Sequence, residues 1–394
     1  MILRAFLGLQ HMSIAIKEIQ MTPRFRLITD NQTLAEVCRQ ARLQAAVALD
    51  TEFVRTRTFY PRLGLIQLYD GEQVSLIDPN QIDDFSPFVA LLTDRNLCKV
   101  LHASSEDLEV FQHYFNQLPR PMLDTQVMAS FLNLGHSVGF AALIKHYFQL
   151  DIDKGASRTD WLARPLSPVQ LRYAAADVWY LLPLFRQMLS RLAQTRWQSA
   201  VESDCELLLV KREKDKDSEK AYLNIANAWR LDRLELMRLK LLAKWRYQEA
   251  MKRDLALNFV VKSEHLWLAA KHHPKHTSTL LEMGFSASEV RIHGKKILQL
   301  IDQVKRIDER DFPPRIERFA DDPRYRGALK MLQTELKRIA PADLPVDVIA
   351  GKKTLEELMR WCWLQDRDEA SPPELLCGWR REFGLPLLAS LQNF

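Results

Sequence analysis

A chain of 394 residues is longer than one ordinary domain, so two or three domains are expected. Hydrophobic residues make up 47% of it and charged residues 27%, as in soluble globular proteins, and no run approaches the roughly 18 apolar residues that a membrane span needs. The formal net charge is +5, and the excess of basic residues is distributed unevenly along the chain.

The first 22 residues are predicted to be a poorly ordered extension that precedes the fold. Their apolar run MILRAFLGL contains an arginine and no small-residue cleavage site, so a secretory signal is not expected. The five cysteines are scattered and form no CxxC pair, which favours a reducing compartment over a disulfide framework or a zinc site. We therefore expect a cytoplasmic protein without a membrane segment.

Strands and helices alternate from residue 24 to about residue 120. The predicted strands are 46–53, 63–69, 73–77 and 98–101, and the predicted helices are 85–92 and 33–45, the latter capped by Asn31 or Thr33. Asp70-Gly71 is a tight-turn dipeptide that joins the second strand to the third. An up-and-down run of three strands followed by helices indicates a mixed α/β layout.

Two carboxylates, Asp50 and Glu52, stand at the end of the first of these strands. Side chains alternate between the faces of a strand, so both acids share one face and Thr51 points away. Neighbouring acids repel each other unless a cation lies between them, and oxygen-only ligation suits Mg²⁺ or Mn²⁺. A solvated acidic pair is the alternative, and further acids are needed to decide.

A third acid follows the fourth strand, in the segment HASSEDLEVF. Ser104 or Ser105 can cap a helix that begins at Glu106, which places Asp107 in its first turn, near the end of the strand. Glu106 there complements the helix dipole, and Asp107 can do the same or bind a metal. His102, before the turn, is either a core histidine or a substrate contact.

The fourth acid is Asp177, in a predicted helix that begins at Ser167-Pro168 with a cap and a first-turn proline. Tyr173 lies four residues earlier and therefore on the same helical face. A buried, hydrogen-bonded Tyr-Asp pair is the structural alternative. Together with the three acids above, the pair predicts a carboxylate cluster beside a phenol that can orient a water molecule.

The strings LDTEF, LHASSEDLEVF and YAAAD resemble, in order and spacing, the three motifs of the DEDD superfamily of 3′→5′ exonucleases. The tyrosine four residues before the last aspartate is similar to the tyrosine branch of that superfamily. FVRTRTFYPRLGLIQL, LDTQVMA and TDWLARPLS further resemble the ribonuclease D family. The resemblance implies an RNase H-like exonuclease fold over roughly residues 25–205, a mixed sheet flanked by helices.

The resemblance also implies a two-metal mechanism with a role for each residue. Asp50, Glu52, Asp107 and Asp177 would hold two Mg²⁺ or Mn²⁺ ions, one to activate water and one to stabilise the leaving 3′ oxygen. Tyr173 would orient the attacking water, since a phenol with a pKa of about 10 is a poor base at neutral pH. The expected product is a nucleoside 5′-monophosphate.

Two residues beside these motifs have other predicted roles. Phe53, after the first motif, either stacks on the terminal base of the substrate or belongs to the core. Asp124, which begins LDTQ, is predicted to cap a helix rather than to bind metal.

Beyond residue 210 the chain is predicted to be helical and to repeat itself. The decapeptide KREKDKDSEK has no apolar residue and is typical of an exposed linker. The strings LALNFVVKSEHLWLAAK, from Leu255, and LPVDVIAGKKTLEELMR, from Leu344, align without a gap at a displacement of 89 residues. Each follows a long amphipathic helix, 233–252 and 324–339. Two copies of a small all-α domain are therefore predicted, with a boundary at Phe312-Pro313-Pro314.

These copies resemble the HRDC domain, and the resemblance implies auxiliary nucleic-acid binding. Residues 221–300 contain 14 Lys and Arg against 7 Asp and Glu, whereas residues 301–394 contain 16 against 17. Phosphate contacts are therefore expected mainly from the first copy, from Lys252, Arg253, Lys262, Lys271, Lys275, Lys295 and Lys296. A solvated basic surface without a partner is the alternative. The neutral second copy is expected to pack or to shape the substrate path.

The predicted architecture is an N-terminal extension (1–22), an exonuclease domain (23–210) and two HRDC-like domains (220–305 and 315–394). The predicted activity is metal-dependent 3′→5′ hydrolysis of RNA with a free 3′ end by a monomer, with tRNA precursors as substrates on family resemblance alone. The alternatives are a proofreading-type 3′→5′ DNA exonuclease, which recognition of the 2′-hydroxyl would exclude, and a non-catalytic RNA-binding protein.

Overall fold

The computed structural model describes residues 23–152, 155–214, 217–365 and 367–392. The predicted extension, 1–22, lies outside the described residues. The chain forms two compact units. The first contains the described residues up to Val54, Arg62–Lys214 and those from Arg324 onward, and the second contains Arg55–Pro61 and the described residues from 217 to Pro323. In the described part of the chain, no helix is both long and apolar enough to cross a membrane.

A six-stranded mixed sheet forms the centre of the first unit. Its strands are β1 (Phe25–Ile28), β2 (Ala46–Val54), β3 (Arg62–Tyr69), β4 (Val74–Ile77), β5 (Cys98–Leu101) and β6 (Met122–Asp124). They lie in the order β1-β4-β3-β2-β5-β6. The pairs β2/β3 and β3/β4 are antiparallel, and β1/β4, β2/β5 and β5/β6 are parallel. The predicted up-and-down run of three strands is confirmed.

The turn between β3 and β4 is the predicted Asp70-Gly71 pair. The Asp70 carboxylate accepts hydrogen bonds from the backbone N–H groups of Glu72 (2.9 Å) and Gln73 (2.8 Å). Gly71 has a φ of +100°, in the left-handed region that favours glycine. The tight turn sets the register of the β3–β4 hairpin.

Seven helices flank the sheet in the described residues up to 214. They are α1 (Asn31–Ala41), α2 (Ser86–Thr93), α3 (Ser105–Phe115), α4 (Thr125–Phe131), α5 (Phe140–Phe148), α6 (Pro168–Leu192) and α7 (Gln198–Glu213). The longest, α6, packs across β2, β3 and β4. The mixed sheet with flanking helices confirms the predicted fold class.

The prediction for the first helix was wrong at both ends. Asp30 is the cap rather than Asn31 or Thr33, because its carboxylate accepts the backbone N–H of Thr33 at 2.8 Å. The helix ends at Ala41, where the N–H of Arg42 closes the last turn on the Cys38 carbonyl. In α3 the residue at the cap position, Ser104, makes no capping hydrogen bond with its side chain.

The second unit is helical, as predicted, with α8 (Arg233–Arg253), α9 (Leu257–Val260), α10 (Ser263–His272), α11 (Thr277–Glu282) and α12 (Ala287–Gln303). Its apolar core includes Leu236, Leu239 and Leu266, with Trp245 and Trp267 packed against it.

Two segments beyond these helices also belong to the second unit. In residues 55–61, the N–H of Tyr60 donates to Asp254 Oδ1 at 2.9 Å, and the Phe59 ring lies 5.3 Å from that of Tyr247. The Arg233 guanidinium donates to the carbonyl oxygens of Glu309 (2.9 Å) and Phe312 (3.1 Å). The second unit ends at Pro323, beyond the Phe312-Pro313-Pro314 segment that was predicted as a boundary.

The C-terminal helices in the described residues are α13 (Tyr325–Ile339), α14 (Val346–Ile349), α15 (Lys352–Leu364) and α16 (Arg381–Gln392). The short helices α9 and α14 begin 89 residues apart, and so do α10 and α15, which confirms the predicted repeat. The second, C-terminal copy packs within the first unit. The Arg380 guanidinium pairs with both oxygens of Asp204 (2.6 and 2.8 Å), and Trp197 Nε1 donates to Asp343 (2.9 Å). The domain limits 23–210, 220–305 and 315–394 stay predictions.

Candidate active site

Asp50 and Glu52 extend from one face of β2, a central strand of the sheet. In the antiparallel register Asp50 lies opposite Gln67, and Glu52 lies opposite Leu65. The register shifts between Glu52 and Phe53, so regular pairing is interrupted directly after the two acids. Such irregularities often re-aim side chains next to functional sites.

Helix α6 brings Asp177 to this pair. It begins with a reciprocal capping box, in which the Ser167 hydroxyl accepts the N–H of Gln170 and the Gln170 side chain accepts the N–H of Ser167. One carboxylate oxygen from each of Asp50, Glu52 and Asp177 lies within 4.8 Å of the other two. Three of the four predicted acids therefore meet, although more than 100 residues separate the first from the last.

Tyr173 lies one turn before Asp177 on α6, and the two side chains are hydrogen-bonded. Burial and the negative charge of Asp177, followed by those of Glu52 and Asp50, raise the pKa of Tyr173 far above its usual value. The phenol is therefore neutral in the physiological range and is the donor to Asp177. Its ring packs 6.1 Å from the buried Trp161.

Asp107 is the buried first-turn acid of α3, and it contacts β2 through Thr51. Its Oδ1 accepts the backbone N–H of Thr51 at 3.1 Å and the Thr51 hydroxyl at 2.5 Å. Asp107 is not part of the three-acid group found among the described residues, yet its charge contributes to raising the pKa of Glu52. Thr51 was assigned no role from the sequence, although a hydroxyl residue between two predicted metal ligands could have indicated one.

The acids strongly perturb one another. Burial, and next the charge of Asp177, raises the pKa of Asp50 well above its usual value, and burial raises the pKa of Asp177 to about 7. Burial and the charge of Asp50 raise the pKa of Glu52 to about 10. Clustered hard oxygen donors with excess negative charge and no sulfur or imidazole ligand fit a divalent cation of the Mg²⁺ or Mn²⁺ type.

We expect the metal-free protein to lose stability, and metal affinity to rise, as pH increases from about 4 to 7. An aspartate in the unfolded chain titrates at about pH 4, whereas folded Asp177 keeps its proton up to about 7. The folded protein therefore binds more protons in this window, and its free energy of unfolding falls as pH rises. A bound cation displaces these protons, so affinity should rise up to about tenfold per pH unit for each proton released.

Thermal unfolding with chelator and with Mn²⁺, at about pH 5.5 and 7.5, measures both effects. The Mn²⁺-induced rise in Tm should be larger at the higher pH and should disappear in Asp177→Asn. An equal rise at both pH values would contradict the assigned proton displacement.

His102 and Phe53 lie close to the motifs but outside the acid group. The Nδ1 atom of His102 is 2.9 Å from the Thr125 hydroxyl, and its ring is 5.5 Å from that of Phe140. Burial lowers the pKa of His102, so the imidazole is neutral at pH 7. Phe53 is half-buried beyond the register shift. A substrate contact by either residue stays a prediction.

Asp124 caps α4, as predicted. Its carboxylate accepts the backbone N–H groups of Gln126 (2.8 Å), Ala103 (3.0 Å) and Ser104 (2.8 Å). These bonds tie the start of α4 to the turn that leads into α3, the helix of Asp107. Asp124 therefore has a supporting structural role in the site.

The basic residues predicted to contact phosphates lie on the second unit. Lys252, Lys262, Lys275, Lys295 and Lys296 are exposed, as is Arg253, and Lys271 is half-buried. Three of the group face acids: Lys271 with Glu235 at 2.9 Å, Arg253 with Glu249 at 3.5 Å and Lys262 with Glu264 at 3.8 Å.

Lys295 and Lys296, which are adjacent on α12, differ from these three residues. Within the described residues, no ion pair joins Lys295 or Lys296 to an acid. Burial, and next the charge of Arg253, lowers the pKa of His293 on α12, while the charges of Glu249 and Glu289 act in the opposite direction.

Three family models match the chain in sequence. Residues 25–193 match a model described as 3′-5′ exonuclease, residues 235–301 match the HRDC domain, and residues 323–385 match the C-terminal HRDC domain of ribonuclease D. The exonuclease match covers all four acids and Tyr173.

Whole proteins match over nearly their full length. The ribonuclease D of Haemophilus influenzae is 55% identical over 379 residues, 96% of this chain and 95% of that protein. The ribonuclease D of Cronobacter turicensis is 45% identical over 370 residues, 93% and 100% of the two chains. The crystal structure of Escherichia coli RNase D, described as an exoribonuclease involved in structured RNA processing, has a TM-score of 0.90 at 42% identity and covers 94% of this chain and 99% of that one.

Proposed function

The chain belongs to the ribonuclease D family of 3′→5′ exoribonucleases, and from this we propose that it trims the 3′ extensions of structured RNAs, above all tRNA precursors, in the cytoplasm. It is an exoribonuclease that requires divalent metal ions. The observation that carries the proposal is the convergence of Asp50, Glu52 and Asp177 within 4.8 Å beside the phenol of Tyr173.

We assign Asp50, Glu52, Asp107 and Asp177 to the binding of two Mg²⁺ or Mn²⁺ ions. Such ions, when bound, lower the pKa of an attacking water and stabilise negative charge on the phosphate and on the leaving oxygen. Thr51 supports the group by holding Asp107 against β2 through two hydrogen bonds. An interaction of this kind fixes the orientation of a ligating carboxylate.

Tyr173 is assigned to the positioning of the attacking water. Its neutral phenol, held by Asp177 and packed on Trp161, cannot act as a base but can hold a water by hydrogen bonding. A bond forms between the water oxygen and the terminal phosphorus, and the bond from that phosphorus to the 3′ oxygen of the preceding nucleotide breaks. The products are a nucleoside 5′-monophosphate and an RNA one residue shorter that ends in a 3′-hydroxyl.

The proposed cellular setting is a reducing one. All five cysteines are free thiols, and Cys38, Cys98 and Cys205 are buried in the first unit. We also propose that the enzyme acts as a monomer, because all the assigned acids and Tyr173 come from one chain and one compact unit.

The first HRDC-like copy is proposed to bind RNA phosphates through Lys252, Arg253, Lys262, Lys295 and Lys296. We expect Lys295→Ala with Lys296→Ala to weaken RNA binding and to reduce the slope of log Kd against log salt by about 1.4, the value for two lost contacts to single-stranded RNA. Fluorescence anisotropy at several salt concentrations measures the slope.

The second copy offers a control, because it also has two adjacent lysines, Lys352 and Lys353, in this case at the start of α15. Lys352 and Lys353 face Glu356 (3.7 Å) and Glu357 (3.9 Å) one turn later. Their double alanine variant should leave the salt slope unchanged. Equal slopes in both double variants would argue against phosphate binding by α12.

The function is tested with three 5′-labelled substrates of related sequence: a 3′-extended tRNA precursor, single-stranded RNA and single-stranded DNA. With Mg²⁺ or Mn²⁺ we expect stepwise shortening of both RNAs and no reaction with chelator. Equal degradation of the DNA would favour a DNA exonuclease. Binding of RNA without any hydrolysis would favour a non-catalytic RNA-binding protein, and resistance of the tRNA precursor alone would remove that substrate from the proposal.

A further inference from the structure

Gln67 is a buried polar residue on β3 to which the mechanism above gives no role. Its exposed fraction is 0%, and neither Oε1 nor Nε2 has a hydrogen-bond partner among the described residues. A buried amide in this state has lost its hydrogen bonds to water without replacing them, and native proteins keep few such groups. An apolar side chain of the same size would pack there with less loss, so a role other than packing is indicated.

The register of the sheet places Gln67 directly beside Asp50. The two residues are paired across the antiparallel strands β2 and β3. Side chains of such a pair lie on the same face of the sheet, with Cβ atoms about 4.5–5.5 Å apart. Helix α6, which carries Asp177, covers that face. The Gln67 amide is therefore buried between the sheet and α6, next to a proposed metal ligand.

A second buried donor without a hydrogen-bond partner among the described residues lies on α6, on the side that packs against the sheet. The indole Nε1 of Trp179, on α6, is buried and also lacks a hydrogen-bond partner among the described residues. Its ring lies 5.2 Å from that of Tyr69, which is two residues beyond Gln67 on β3 and therefore on the same face. Polar groups of this kind cluster in a core where they serve a site or hold a bound water.

We propose that Gln67 is a positioning residue whose side-chain amide donates to the Asp50 carboxylate, directly or through one bound water, when Asp50 ligates a divalent ion. Ligating carboxylates are oriented by hydrogen bonds from neighbouring groups. A neutral amide supplies such a bond without a positive charge that would compete with the cation. This inference rests on the metal site proposed above and adds a supporting residue to it.

Two apolar variants, Gln67→Met and Gln67→Leu, remove the amide while keeping most of its volume. Ser75→Ala is the matched control: Ser75 on β4 is also buried with an unpaired hydroxyl, but its partner is Leu68, on the opposite face of the sheet from Asp50. Titration calorimetry with Mn²⁺ alone gives the metal affinity, and urea unfolding with chelator gives the stability of the metal-free protein.

We expect both Gln67 variants to bind Mn²⁺ about tenfold more weakly or worse, the usual effect of losing such a supporting group. Their metal-free stability should equal or exceed that of the wild type, and Ser75→Ala should bind Mn²⁺ normally. The Mn²⁺ concentration for half-maximal hydrolysis should rise by the same factor as the dissociation constant.

Two results would overturn the inference. One is Mn²⁺ affinity within about twofold of wild type in both variants, a difference too small for a lost supporting group. The other is failure of both variants to fold, because that result would show that the Gln67 amide is needed for folding rather than for the metal site. Absence of Mn²⁺ binding by the wild type would instead refute the proposed metal site itself, so the two failures are distinguishable.

Discussion

Replacement of Asp50 by asparagine is expected to lower kcat for RNA hydrolysis about 10³-fold or more, because the lost charge weakens a metal contribution of several kcal/mol. Asparagine keeps the shape of the side chain and one oxygen, but not the charge that holds a cation between Asp50, Glu52 and Asp177. RNA affinity should stay within about twofold, since phosphate contacts elsewhere dominate binding. Single-turnover hydrolysis and anisotropy measure the two quantities.

A control and a second measurement separate this result from general damage. Glu106→Gln removes an exposed acid one residue before Asp107 and should hydrolyse RNA like the wild type. Asp50→Asn also relieves the repulsion that raises the pKa of Glu52, so the metal-free variant should unfold at a higher temperature at neutral pH. Hydrolysis near the wild-type rate would remove Asp50 from the site.

Replacement of Tyr173 by phenylalanine is expected to lower kcat about 10²-fold while Mn²⁺ affinity stays within a factor of two or so. The ring contact with Trp161 survives, and only the hydroxyl that bonds to Asp177 is lost. The phenol itself does not titrate near neutral pH, but its hydrogen bond lowers the pKa of Asp177, so the pH-rate profile of the variant should shift to higher pH.

Tyr147→Phe is the matched control for this prediction. Its hydroxyl accepts a hydrogen bond from Arg191 at 2.9 Å and has no assigned role in the site. The variant should retain full kcat. If Tyr173→Phe instead abolished Mn²⁺ binding, the phenol would be a structural support of the metal site rather than the group that orients water.

The local parts of the site were predictable because each depends on residues close together in sequence. Alternation along β2 placed Asp50 and Glu52 on one face, and helical spacing placed Tyr173 beside Asp177. The repeat at a displacement of 89 residues predicted α9 and α14 in matching positions. The convergence of distant acids followed from family resemblance, since no local pattern determines where α6 crosses the sheet.

The contacts that support the site were not predictable in the same way. Asp107 bonds to Thr51 across 56 residues, and the pairing of Gln67 with Asp50 depends on the register between β2 and β3. Asn31 and Thr33 were the predicted caps of the first helix, but Asp30 is the residue whose side chain accepts a backbone N–H at the helix start. Long-range register and competing caps are decided by packing of the whole domain rather than by local preference.

The most direct test of the central claim is digestion of a 3′-extended RNA with Mg²⁺ in ¹⁸O-labelled water, followed by mass spectrometry of both products. Hydrolysis at the terminal phosphodiester predicts nucleoside 5′-monophosphates that each carry one ¹⁸O on the phosphate, and a shortened RNA with an unlabelled 3′-hydroxyl. The account would be contradicted by 2′,3′-cyclic phosphate ends, by nucleoside diphosphates formed only with added inorganic phosphate, or by oligonucleotides released from internal cleavage.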